Sequence, residues 1–312
     1  VRDWRQAWQA ALYSPGGFFA RGERPSAHFR TSPLVGPELA QALLELLSRV
    51  DFALGRPASL DFVDVGAGGG ELSAAVHDLA PPALRRRLCV TAVEFDPPAV
   101  PAGVRVRRDL PEQVVGLLVG HEWLDSIPCQ IVEVHSGQIR AVHVDDHGAE
   151  SVGPPVTGPA LEWLHRWWPF VERAEVGLPR DVAWADAVGR VRAGAALAVD
   201  YGHLRARRPR FGTLTGYLGG RQVLPVPDGS RDLTAHVAMD SCAAAAGGGV
   251  ITSQATALAA LGVSAAAPAS GLAATDPLRW LEEAARAGRI AELTDPMGLG
   301  GFHWLLHGSI GP

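Results

Sequence analysis

The 312-residue sequence predicts a doubly wound α/β fold, on three observations. Short apolar runs alternate with stretches of helical periodicity. One of these runs ends in a glycine-rich turn that opens a helix, and another is apolar throughout, as a strand covered on both faces must be. With 47% hydrophobic and 20% charged residues the chain has material for a substantial core.

In chain order, Trp4, Trp8 and Leu12 recur at steps of four and define a first helix, which Ser14-Pro15-Gly16-Gly17 stops. A second helix spans residues 36–50, with Leu39, Leu43, Leu46, Leu47 and Val50 on one stripe. Both precede the first convincing strand and read as an N-terminal cover. Strands are predicted at 60–65, 88–94, 104–106 and 114–120, and residues 130–134 and 138–144 alternate around Ser136-Gly137 as a hairpin. Residues 148–159 read as a connection rich in Gly, Pro, Ser and Thr, after which 161–171 brings Trp163, Trp167 and Trp168 close together. A strand at 195–199 ends in Asp200-Tyr201-Gly202, and residues 203–231 read as a long connection. Helices at 234–246, 253–261 and 278–287, a short strand at 250–251 and a last strand at 302–307 complete the pattern. The predicted division is a helical cover (1–55), a Rossmann-like core (56–202), an inserted loop and helical lobe (203–275), and a closing helix and strand (276–312).

Composition narrows the partners. With 28 Lys+Arg against 33 Asp+Glu the net charge is −5, which gives no global field for a polyanion, so no nucleic acid is expected. The Arg205-x-Arg207-Arg208-Pro209-Arg210 run reads as a solvated basic face. Cys89, Cys129 and Cys242 are scattered, with neither zinc-ligand spacing nor a disulfide pattern, and fit the cytoplasm. His121 has no second histidine at metal spacing, and no metal is expected. No charged segment followed by an apolar one marks an export signal near the start. The apolar stretch 242–269 is mostly Ala and Gly, carries Ser253, Gln254 and Thr256, and ends at Pro268, so packed helices are expected there in place of a membrane span.

The chemistry concentrates at strand ends. Gly66, Ala67, Gly68, Gly69 and Gly70 follow the 60–65 strand, where glycine lets backbone N–H groups approach a ligand at a helix start. Glu94, ending the next strand, is placed to accept ribose hydroxyls, and Asp109, past the third, is suited to an adenine amine; Phe95 and Leu110 adjoin them. These features suit any adenosine cofactor, a dinucleotide or S-adenosylmethionine (SAM). The dinucleotide fingerprint G-x-G-x-x-G fails, because counting from Gly66 its third glycine falls on Glu71. A second cluster, His121-Glu122-Trp123-Leu124-Asp125-Ser126-Ile127-Pro128, follows the most apolar strand, where substrate binding or proton transfer by Glu122 and Asp125 competes with helix capping by Asp125 or Ser126.

Several blocks in the same order resemble the MidA-like SAM-dependent methyltransferases, whose mitochondrial relatives act on an arginine of a respiratory complex I subunit. Phe29-Arg30-Thr31-Ser32-Pro33 is similar to a D-F-x-T-S/A-P block, Val65 to Leu72 to E-x-G-x-G-x-G-x-L, and His121 to Pro128 to N-E-x-x-D-A-x-P. Asp200-Tyr201-Gly202 matches D-Y-G, and Gly212-Thr213-Leu214-x-x-Tyr217, Asp232 to Val237 and the segments 252–262 and 295–302 resemble later blocks. The chain departs from the pattern with His121 in place of Asn, Gly69 in place of Arg and Gly220 in place of His.

The resemblance implies a class I methyltransferase-like sheet and SAM as cofactor, with S-adenosylhomocysteine (SAH) as product. It implies cofactor contacts from Thr31, Ser32, Pro33, Gly66, Ala67, Gly68, Gly70, Glu94, Phe95, Asp109, Leu110, His121 and Glu122. Glu122 is then the first choice for orienting an arginine guanidinium, with Asp125 second; Tyr217 is placed near the cleft, and Asp232 and His236 organise the inserted lobe. A protein arginine is the expected acceptor. A small-molecule acceptor and a non-catalytic SAM-binding assembly protein stand beside it as alternatives.

Overall fold

The computed structural model describes residues 1–23, 31–96, 99–169 and 172–308. Its centre is a seven-stranded sheet of β1 (Leu60–Val65), β2 (Leu88–Val93), β3 (Val104–Arg107), β4 (Val114–His121), β5 (Val191–Asp200), β6 (Val250–Ser253) and β7 (His303–His307). Across the sheet the order is β6-β7-β5-β4-β1-β2-β3. β1 lies parallel to both β2 and β4, β4 is parallel to β5, and β7 runs antiparallel to β5 and β6. The chain thus begins in the middle, steps outward to β3 and returns beside β1. The order reverses between β1 and β4, and the crevice outside their carboxyl ends is where such sheets bind ligands.

Successive residues of each strand feed opposite layers. Phe62, Leu117 and Leu197 pack with Leu39, Leu43, Leu47, Leu72, Val76, Leu258, Ile290 and Leu293 on one face. Val63, Leu118, Ala196 and Ala198 pack with Trp184, Ala187, Met239 and Cys242 on the other. β4 is buried almost throughout, as its unbroken apolar run requires. It approaches β1 so closely at Gly116, where φ is +147°, that a Cβ would stand 2.1 Å from the Asp61 carbonyl oxygen.

Mostly between β4 and β5 the chain builds a second, antiparallel sheet of which the sequence shows only the central hairpin, Gln130–His135 with Gln138–Val144. Arg173–Val176, Arg2–Asp3 and Glu150–Pro155 join it. The last of these lies in the stretch read as a connection; Gly153, Pro154 and Pro155 hide a strand whose edge position tolerates proline. The helix Trp4–Tyr13 docks here through Trp4, Trp8 and Leu12, against Ile131, Val142, Val144 and Leu233.

Two other expectations are corrected. The helix predicted at 234–246 begins only at Met239, since Asp232–Thr234 and Val237–Ala238 are strands. The connection 203–231 is structured: Thr215–Leu218 pairs with Arg221–Val223 and with Asp232–Thr234, making a three-stranded accessory sheet. The basic run there is not wholly solvated either. The Arg208 side chain is nearly covered and bonds the Asp240 carboxylate and the carbonyls of Trp167, at 2.9 Å, and His203, at 2.7 Å. Among the described residues no helix is long and apolar enough to cross a membrane.

Candidate active site

Val65 and Gly120 are register partners at the ends of β1 and β4, so the turns that follow them face each other. The first passes through Gly66, Gly68 and Gly70 at φ of +71°, +56° and +83°, values only glycine adopts cheaply. Gly70 ends the turn and starts the helix Glu71–Leu79. A Cβ at Gly66 would also meet the Trp123 side chain at 3.0–3.2 Å, so the indole from the second turn rests on the glycine of the first. Glu94, leaving β2, closes the cradle. One carboxylate oxygen accepts from the Gly68 amide at 2.7 Å and the other from the Phe95 amide at 2.7 Å.

Two cavities run along this cradle and share Phe19, Gly66, Gly68, Glu122 and Ser126. The inner one brings together Thr31, Pro33, Gly66, Ala67, Gly68, His121, Glu122 and Asp125, with Asp64 and Asp232. The outer one brings together Glu94, Phe95, Asp109 and Leu110 with Tyr13 and Trp123. Tyr13 stands edge-on to Phe95 with centroids 5.5 Å apart and packs on Phe19 at 5.3 Å, which gives the outer cavity an aromatic wall. Ser32 and Gly70 are not on the walls: Ser32 is fully buried, with its backbone bonded to the Glu122 carboxylate. Phe29 and Arg30 of the same sequence block lie outside the described residues.

A third cleft, lined by Tyr201, Tyr217, His236, Met297 and Phe302, also reaches Glu122. Glu122 thus borders all three spaces. Its φ is +49°, uncommon for a residue with a side chain, and its amide donates to the Val199 carbonyl at 2.8 Å. The side chain is 9% exposed, and Oε1 has no hydrogen-bond partner among the described residues. His121 Nδ1 lies 3.5 Å away, on a ring that burial pushes down to about 4 and so keeps neutral. Burial first, then the nearby Asp125, push the Glu122 carboxyl up to about 8.

Asp125 belongs to the same cluster but is held differently. Its Oδ2 accepts from the Tyr201 hydroxyl and from Thr234 Oγ1, the latter at 2.6 Å. Asp200, at the end of β5, accepts from the amides of Leu124 and Asp125 at 3.0 and 3.2 Å. Burial and then the charge of Asp125 raise Asp200 well above the usual carboxylate range, and the same two causes raise Asp232. Beneath them Arg180, 1% exposed, donates to the carbonyls of Asp125 at 2.6 Å, Ile127 at 3.2 Å and His236 at 2.8 Å. Sequence reasoning missed Tyr201, Thr234 and Arg180 as parts of the site. The signals were present in the Asp200-Tyr201-Gly202 turn after a buried strand and in one arginine inside the apolar helix Leu178–Gly189.

The cradle fits an adenosine cofactor carrying a cationic amino-acid arm: glycines open the backbone, aromatic rings flank the outer cavity, and carboxyl groups crowd the inner one. Comparison with known proteins agrees. The family described as "Putative S-adenosyl-L-methionine-dependent methyltransferase" matches residues 39–254. No curated protein matches the sequence. Two solved structures of COG1565 superfamily proteins from Burkholderia thailandensis share the fold. One, bound to S-adenosyl-homocysteine, superposes with a TM-score of 0.81 at 23% identity, covering 99% of this chain and 88% of its own. The other, a native structure, gives 0.79 at 24% identity over the same shares. The fold is that of a class I methyltransferase, and with the match spanning more than half its length, the chain belongs to this family of SAM-dependent methyltransferases.

Proposed function

We propose that the protein methylates the guanidinium of an arginine in a protein substrate, the acceptor that the MidA-like resemblance implies. The observation that carries this reading is Glu122: a nearly buried carboxyl group, one oxygen of which has no hydrogen-bond partner among the described residues, bordering the cofactor cavities on one side and the open aromatic cleft on the other. On this reading Gly66, Ala67 and Gly68 hold the methionine half of SAM, while Glu94, Phe95, Asp109 and Leu110 face its adenosine.

When bound, SAM supplies a methyl group on a sulfonium, which the acceptor nitrogen displaces in line. The residues of this chain orient and compensate charge. A guanidinium and a sulfonium repel each other, and carboxylates around the acceptor offset that repulsion. Glu122 accepts hydrogen bonds from the guanidinium and fixes its plane, a charge-assisted geometry that arginine's rigid fork favours. Each transfer forms one N–C bond, breaks one S–C bond and releases one proton from the attacked nitrogen. Once the guanidinium and the sulfonium beside it have drawn Glu122 into its ionised form, the proton affinity that burial has raised suits it to receive that proton. Tyr201 and Thr234 act one step back, holding Asp125 beside Glu122.

The test is to incubate the purified protein with SAM labelled in its methyl group and with cell extract. Label recovered as methylarginine after hydrolysis of the protein fraction supports the reading. Label only in an extractable small product overturns it in favour of a small-molecule acceptor, and SAM binding without transfer favours a non-catalytic role.

A further inference from the structure

Asp232 is a buried acid of the inner cavity that this mechanism leaves unused. It opens the strand Asp232–Thr234 of the accessory sheet, where it pairs with Tyr217. Strand alternation gives that short segment two faces. Leu233 turns into the apolar cluster of Trp4 and Trp8, and its carbonyl accepts from Trp8 Nε1 at 3.0 Å. Thr234 turns the opposite way and bonds Asp125. Asp232, two residues earlier, lines the inner cavity together with Glu122 and Asp125. It is 3% exposed, its carboxylate takes a backbone hydrogen bond from Leu233, and its Oδ1 has no partner among the described residues.

What sets Asp232 apart from Asp200, which also keeps an oxygen without a partner among the described residues, is that Asp232 lines the same cavity as Glu122. We propose that Asp232, from the accessory lobe, and Glu122, from the core, are the two walls of the acceptor site and hold a guanidinium between them. This rests on the arginine reading above. A carboxylate on each wall offsets the two like charges brought together in the occupied site, a guanidinium and a sulfonium. They also explain how a neutral acceptor is disfavoured, because it offers neither acid a cation and so makes none of the charge-assisted hydrogen bonds that a guanidinium makes. Asp232 is then a substrate-binding residue, and its place on the lobe makes the acceptor site a joint product of lobe and core.

The experiment is calorimetric titration of the SAH-loaded protein with N-acetyl-arginine methylamide and with the neutral citrulline analogue of the same length. The wild type is expected to bind the arginine probe at least tenfold more tightly than the citrulline probe. Asp232→Asn is expected to lower arginine-probe affinity tenfold or more, leave SAH affinity within twofold, and bring the two probes close together; Asp232→Glu recovers part of the preference. Should Asp232→Asn fail to fold, Asp232→Ser, which keeps a hydrogen-bonding group beside Leu233, carries the same expectation. Unchanged arginine affinity in a folded variant overturns the role of Asp232 and leaves the arginine reading standing. A tenfold loss of SAH affinity overturns it by assigning Asp232 to the cofactor. A wild type that binds neither probe overturns the arginine reading, and the clamp with it.

Discussion

The two halves of the site are built on opposite principles. On the cofactor side the polar groups are tied down: both oxygens of Glu94 accept backbone amides, and Gly66 sits in a left-handed conformation beneath the Trp123 ring. On the acceptor side Glu122, Asp125, Asp200 and Asp232 each keep a buried carboxyl oxygen with no partner among the described residues. The first half is held by bonds and contacts within the chain itself. On the proposed arginine reading, the second leaves these oxygens for the hydrogen-bond donors of a cationic acceptor.

The largest expected effect is on the acceptor side. Glu122→Gln should lower turnover by about 10²–10³-fold, as loss of a single group stabilising the transition state does, while SAH affinity by calorimetry changes little. A loss of cofactor binding of similar size would erase the division between the halves. The same variant has a signature in stability. Folding holds the Glu122 carboxyl up at about 8, against an ordinary 4.5, so between these values the folded chain keeps a proton that the unfolded chain has released. The stabilisation associated with this group is therefore lost as pH rises from about 4.5 to 8. The Tm of the ligand-free wild type should fall more steeply over that range than that of Glu122→Gln.

The next effect belongs to the cofactor side. Gly66→Val forces a β-branched residue to φ near +71° and drives its side chain into Trp123. It should cost about 1–3 kcal/mol of stability and weaken SAH binding at least tenfold, measurable by thermal melt and titration. Asp125→Asn comes third. It keeps an oxygen for Tyr201 and Thr234 but removes the charge, and should lower turnover about tenfold at constant SAH affinity, since a hydrogen bond to a charged group contributes roughly 1.5–3 kcal/mol. Phe95→Ala should have the smallest effect, raising the SAM Kd severalfold with kcat unchanged, in line with about 0.5–1.5 kcal/mol for one aromatic contact. A fall in kcat instead would mean that the aromatic wall also positions the reacting centre.

The contrast also explains what the sequence disclosed. The central sheet was legible because β1, β2 and β4 are compact apolar runs, and the glycine turn because three left-handed positions can hardly be other residues. Glu122 stood out as a charge directly after a buried strand. The second sheet was visible only as its hairpin, since Glu150–Pro155 carries Gly and two Pro and the Arg2–Asp3 strand is two residues long. The segment 234–238 looked like the start of a helix because the run Thr-Ala-His-Val-Ala has no clear period, and its strand residues owe that identity to pairing with Thr215–Leu218 and Gly202–His203. The acceptor side was the least legible part. Tyr201 and Thr234 reach Asp125 across 76 and 109 residues of chain, and no local pattern announces such meetings.

Arg180 has a consequence for anyone who would redesign this enzyme. Its three hydrogen bonds join the turn after β4, through Asp125 and Ile127, to the accessory segment, through His236. Lobe and core are thus stitched by a residue that belongs to neither loop. A chimaera that imports the accessory segment from another family member to change acceptor choice would inherit a different backbone at that stitch. The portable unit is the lobe together with the helix that bears Arg180, and exchanges that cut between them would disturb the Asp125 turn even when every acidic residue is retained.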